Sequence, residues 1–389
     1  MHESKASGER GQILLISALL LAALFVGLAV VVNSAIYTEN RATREVTRSS
    51  QPLADHPVTA DRLGQALHVA NFHSDTDDYD ERHAVVGGNV SGWSSEMQGQ
   101  AVQNGVLWGS AVAATTNGTR VSQDQEGTFM PAKSSLLDEV TTLVLPTFRI
   151  DPLGLGDKKN WVIANGTAVR DFRMNVTRSS LEERNPGLVT VLVDVVDTTL
   201  TGSTVFWAES DVTDGDGDFW RLYLLEDGTN VTAFVVEFDG GAGTVRAECS
   251  ARGEHVDVLV SEGKLVGEDG PVACPATRNL SGQPSRDLYY AGADEVEGTY
   301  GFIVDKEEST FRSELADRYG TFLDSVVDAL VDLLLALIGG SLEDDDIYHE
   351  SPSDGHPYTT TAIYNTTVEL SYEDERVRYS RNVTVPAES

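Results

Sequence analysis

Three sets of residues in this chain have the types and spacing to do chemistry. The first is Asp214-Gly215-Asp216-Gly217-Asp218, where carboxylates alternate with glycines. Alternating acids on a flexible backbone can wrap oxygens around Ca²⁺. The run does not complete an EF-hand loop: Phe219 stands where the turn Gly belongs, and Leu225 where the bidentate Glu belongs. An acidic turn is the favoured reading of Asp214, Asp216 and Asp218, and Ca²⁺ is the one cofactor they allow. The second set is Cys249 and Cys274, the only cysteines in the chain. An even pair outside the reducing cytosol can oxidise. Closing a loop of about 25 residues adds roughly 3 kcal/mol by the chain-entropy model; two buried thiols are the alternative. The third set is eight Asn-x-Ser/Thr acceptors, at Asn89, Asn117, Asn165, Asn175, Asn230, Asn279, Asn365 and Asn382. They take up eight of the fourteen asparagines, where chance gives about two or three. The excess points to N-glycosylation on an exterior face.

No catalytic constellation accompanies them. The histidines at 2, 56, 68, 73, 83, 255, 349 and 356 have no metal-binding spacing. There is no Gly-x-Ser-x-Gly elbow, and Gly154 and Gly156 before Lys158 and Lys159 lack the phosphate-loop pattern. The expectation is a protein without enzymatic activity. A secreted hydrolase with dispersed carboxylates is a lesser alternative, and it requires a deep cleft holding two facing acids.

Net charge is −33, from 61 acidic and 28 basic residues. Such self-repulsion is tolerable where salt screens it, with a Debye length of about 3 Å at 1 M. The composition is that of a salt-adapted, haloarchaeal protein. With no basic stripe to displace counterions from phosphates, nucleic-acid partners are excluded.

The elements that must position these residues begin with an apolar run. Gly11 to Thr38 carries no charged side chain, and about 20 apolar residues suffice to cross a hydrocarbon core. The reading is a retained transmembrane helix, a single pass acting as signal anchor, with the lipid bilayer as partner and everything downstream outside the cell. Arg10-Gly11-Gln12 followed by this run resembles the start of archaeal type IV pilin-like precursors. That resemblance implies peptidase cleavage between Gly11 and Gln12, and lateral association with other pilin-like or envelope proteins through the N-terminal helix. It covers only about the first 40 residues, and Ile16 and Ser17 stand where many such precursors carry Glu.

The expected fold class is α+β. It divides into a cytoplasmic tail over 1–11, the transmembrane helix over 12–36 and a helical stalk over 37–114. An antiparallel, sandwich-like β domain follows over 115–306, then an inserted amphipathic helix over 307–340. An acidic loop and a C-terminal β-hairpin over 341–389 complete it. Within the stalk region Pro52 and Pro57 stop the helix that continues from the apolar run over residues 35–50. Glu226-Asp227-Gly228-Thr229 joins Phe219–Leu225 to Asn230–Phe238 as a hairpin. Asp324, Asp328 and Asp332 line one face of the inserted helix, which keeps it out of a membrane. The expected role is a pilin-like or envelope structural component at the cell surface. An extracellular module binding Ca²⁺ or glycan is the alternative.

Overall fold

The computed structural model describes residues 18–33 (save 20 and 23), 56–72, 76–132 (save 104), 161–184, 205–212, 218–239, 242–327 and 347–386 (save 376). Two helices come first among the long elements, α1 (His56–Phe72) and α2 (Tyr79–Val102). Pro57 falls in the first turn of α1, where its missing N–H costs nothing. Asp78 caps α2 by accepting from the Asp80 and Glu81 amides at 2.8 and 3.1 Å, and those two acids sit at the positive end of the helix dipole.

Among the described residues thirteen strands follow: β1 (Leu107–Thr128), β2 (Trp161–Thr177), β3 (Trp207–Val212), β4 (Phe219–Asp227), β5 (Asn230–Asp239), β6 (Ala242–Arg252), β7 (His255–Leu259), β8 (Lys264–Gly267), β9 (Gly270–Ala273), β10 (Gly282–Ala291), β11 (Glu297–Val304), β12 (Tyr358–Glu373) and β13 (Arg378–Pro386). A third helix, α3 (Glu308–Val327), lies between β11 and β12. The sheet runs β13-β12-β1-β11-β2-β10-β3-β4-β5-β6, with every pairing antiparallel. The meander β7-β8-β9 branches from β2. It packs against β6 at the far end of the path, so the sheet curls back on itself. The disulfide Cys249–Cys274, with Cα atoms 5.9 Å apart, joins β6 to the residue after β9 at that closure.

Alternation assigns the faces. Phe172, Met174 and Val176 of β2, Leu222 and Leu224 of β4, and Val231, Ala233 and Val235 of β5 point into the main core. Phe129, Phe206, Tyr290 and Tyr300 form an aromatic nest there, with centroids 5.0–5.6 Å apart. Beside the nest, Trp161 Nε1 donates to the Phe129 carbonyl at 2.9 Å and the Tyr348 hydroxyl to the Ile163 carbonyl at 2.7 Å. The helices cover a second core, where Leu63, Leu67, Val86 and Val90 meet Ile363, Val368, Val383 and Val385. Two polar residues fix that docking. Asn71 exchanges both hydrogen bonds with the Ile363 backbone, at 2.9 and 2.8 Å. Buried Arg82 donates to Thr361 Oγ1 at 2.9 Å and to the Ala70 carbonyl at 2.6 Å. On the other face of β4 and β5, Phe219, Tyr223, Phe234 and Phe238 make a third core. It encloses the Arg221–Glu209 ion pair, and the Arg221 guanidinium lies 4.3 Å from the Trp207 ring.

The expected α+β class is corrected. One continuous antiparallel sheet dominates, rather than a sandwich set on a helical stalk. The transmembrane helix and single pass expected over 12–36 are corrected too: no helix among the described residues is long and apolar enough to cross a membrane. The stalk expected over 37–114 ends early, since β1 starts at Leu107. The Ala-rich stretch Gly109 to Ala114 carries helix-compatible residues, yet pairing with β12 makes it strand.

Candidate functional site

Register brings a set of polar side chains onto the outer face of four adjacent strands. Ser122 of β1 lies opposite Gly301 of β11, Gly301 opposite Arg173 of β2, and Arg173 opposite Leu259 of β7. In the neighbouring row Thr299 faces Asn175, and Asn175 faces Asp257. Gly301 has no side chain to fill the middle of the first row, and a cleft of about 390 Å³ opens over it. Phe72, the last residue of α1, forms one wall together with Arg120 and Asp124 of β1.

Most charges in the cleft are already spent. Arg120 donates to the Asn71 carbonyl at 2.7 Å and to the Tyr358 hydroxyl at 3.0 Å. Burial holds the Tyr358 phenol above its ordinary pKa, so it keeps its proton and donates to Asp124 Oδ2 at 2.8 Å. Asp257 Oδ1 accepts from Asn175 Nδ2 at 2.7 Å. Arg173 is different. Its guanidinium lies 4.2 Å from the Phe72 ring centroid, and its nearest acid is Asp171 at 3.8 Å, beyond hydrogen-bond distance. It makes no hydrogen bond to any described residue, and its side chain is 35% exposed. Stacking therefore orients a donor fork whose N–H groups face solvent inside the cleft.

The cleft contains two carboxylates, the feature a hydrolase requires. Each is already an internal acceptor, however, and Asp124 is 53% exposed. A general acid at neutral pH needs burial away from such donors. The arrangement suits recognition better than proton transfer. No family model matches this chain, nor does any curated protein. The reading of the site rests on its own geometry.

The residues singled out in the sequence fall elsewhere. Asp214 and Asp216 lie outside the described residues, and Asp218 is exposed at the edge of β4. Among the described residues no group of three His, Cys, Asp or Glu could hold a metal ion. Gly11 and Gln12 also lie outside them. Cys249 and Cys274 form the disulfide, 8% and 0% exposed.

None of the eight sequon asparagines is buried; Asn89, Asn279 and Asn382 are exposed and the others half-buried. The acceptor hydroxyls divide them further. Thr119, Thr167, Thr177, Thr232 and Ser281 are buried, following Asn117, Asn165, Asn175, Asn230 and Asn279. Ser91 and Thr384 are exposed and Thr367 half-buried, following Asn89, Asn382 and Asn365. Only Asn175 belongs to the cleft. Sequence reasoning missed Arg173, Arg120 and Phe72. The available signal was Arg173 itself, a cation between buried Phe172 and Met174 in a strand of a cation-poor chain.

Proposed function

We propose that this chain is a non-enzymatic component of the exterior envelope of a salt-adapted archaeal cell, a structural and interaction domain facing the medium. The observation that carries the reading is the Cys249–Cys274 disulfide at the closure of the sheet. Both cysteines of the chain are committed to a covalent bond that persists in oxidising compartments and is rare in the cytosol. The surface placement of all eight sequon asparagines supports the same address, and the net charge of −33 supports a salt-rich medium. Toward the N-terminus, Leu19, Leu24, Phe25, Val26 and Val30 are 58–70% exposed. Apolar surface of that kind seeks lipid or like chains, in keeping with the pilin-like resemblance of Arg10-Gly11-Gln12.

Protease treatment of intact cells, followed by peptide mass spectrometry, tests the reading. Peptides from β1 to β13 should be released without lysis, and those spanning Cys249 and Cys274 should be linked, some of the others carrying glycan. Release only after lysis, or free thiols at both positions, would refute it. The cleft favours one second reading, an extracellular binding module, because its Arg173 fork is oriented by Phe72 and makes no hydrogen bond, the nearest acid, Asp171, lying at 3.8 Å.

A further inference from the structure

The geometry points to the cleft over Gly301 as a binding site for a carboxylate-bearing sugar of the uronic-acid class, with Arg173 as the carboxylate anchor. This rests on the binding-module reading and is independent of where the chain resides. Four observations converge on it.

The first is a donor without an acceptor. In a chain with 61 acidic residues, several arginines around the sheet pair closely with carboxylates. Arg178 pairs with Glu226 and Glu254, Arg184 with Asp227 and Glu248, Arg221 with Glu209, and Arg246 with Glu237. Arg173 pairs with none at hydrogen-bond distance, although acids are plentiful. Its planar fork matches a carboxylate with two parallel N–H···O bonds.

The second is orientation. The Phe72 ring, 4.2 Å from the guanidinium carbon, and the strand pairing of Arg173 with Gly301 and Leu259 fix the fork before any ligand arrives. Ordering costs are thus met by the fold.

The third is the shape of the floor. Gly301 lies between Ser122 and Arg173 in one row, so nothing projects from the middle of the cleft. The space of about 390 Å³ falls in the size range of small-ligand sites.

The fourth is the rest of the lining. Ser122, Thr299, Asn175 and Asp257 surround the anchor. These are the hydroxyl, amide and carboxylate groups that exchange hydrogen bonds with sugar hydroxyls. A bare inorganic anion would use Arg173 alone and be repelled by Asp124 and Asp257, whereas a polyol carboxylate uses both halves of the lining.

The test is calorimetric titration of the full folded chain in concentrated KCl with glucuronate, with glucose and inorganic sulfate as comparison probes. Glucuronate should bind at least about tenfold more tightly than either. Arg173→Gln should remove that preference while the melting temperature stays within a few degrees of the parent, because the side chain makes no hydrogen bond to lose. Arg173→Lys should restore it only in part, since a point charge cannot form the parallel pair. Thr299→Ala should weaken glucuronate and leave sulfate unchanged. Equal binding of glucuronate and glucose overturns the role of Arg173 while leaving a binding module in place. Equal binding of sulfate and glucuronate overturns the sugar assignment. No heat with any probe overturns both this inference and the binding-module reading on which it rests. Full glucuronate affinity in Arg173→Gln overturns the anchor even if sugar binds.

Discussion

Replacing Cys249 and Cys274 together by alanine should destabilise the domain by an amount the structure sets. The bond spans a sequence separation of 25 residues. Loop-closure entropy for that length is about 12 cal/mol/K, or about 3.5 kcal/mol at 25 °C. The substitution also removes two buried sulfurs, 8% and 0% exposed, adding about 1 kcal/mol of lost packing. Dithiothreitol-treated wild type keeps the sulfurs and should lose only the closure part. Urea unfolding in concentrated KCl, with and without reductant, separates the two. At an m-value of about 3 kcal/mol/M the midpoint should fall by about 1.2 M on reduction and about 1.5 M in the alanine pair. Reduction should itself be slow under native conditions, because Cys274 is sealed until β6 parts from the β7-β8-β9 meander. A reduced protein whose midpoint moves by less than about 0.3 M would refute the reasoning. The meander would then hold its place on β6 through side-chain packing alone.

Four further outcomes follow from the geometry. Arg82→Met, which orphans the Ala70 carbonyl and Thr361 Oγ1, should cost about 3 kcal/mol, and Asn71→Ala about 2 kcal/mol. Their double variant should cost less than the sum in a urea cycle, because both pin the end of α1 to β12. The Glu254 carboxyl is held below its ordinary pKa by the Ser179 hydrogen bond and by Arg178. It therefore contributes stability above the unfolded carboxylate range, and this is lost as pH falls through the lowered folded value. Glu254→Gln should melt below wild type at neutral pH and equal to it in strong acid. Glu308 shifts the opposite way, raised by burial, so its contribution is present in acid and lost as pH rises through the folded value. Glu308→Gln should consequently flatten the rise of melting temperature toward acid rather than the fall. Gly298 adopts φ +151°, and a Cβ there would run into the Asn175 carbonyl. Gly298→Ala should cost about 3 kcal/mol or more, measured by the urea midpoint, and a variant as stable as wild type would remove that constraint.

Local patterns carried well where local forces decide. The Phe219–Leu225 and Asn230–Phe238 hairpin was legible because Asp227-Gly228 supplies the turn, and Gly228 takes φ +64°. The C-terminal hairpin expected within 341–389 is β12 and β13. What failed depended on distant partners. Residues 107–114 are Ala-rich and become strand only because β12 lies alongside. Trp161–Thr177 is one strand, through which Asp171 passes at φ +48° without ending it. The single curled sheet follows from pairings between strands far apart in sequence, which periodicity cannot encode. The cleft shares that origin: its residues come from β1, β2, β7, β11 and the end of α1.

The seat of β1 carries a consequence for biogenesis. Leu107 pairs with Glu373, and Asn71 is bound to Ile363, 292 positions away. Contacts of such sequence range make folding slow, and here they also fix its timing. β1 has no sheet neighbour until β11 is made, and one of its edges stays open until the ribosome has made β12, nearly the last part of the chain. A chain leaving the cell during synthesis would pass through the translocation channel unstructured and find its shape only in brine.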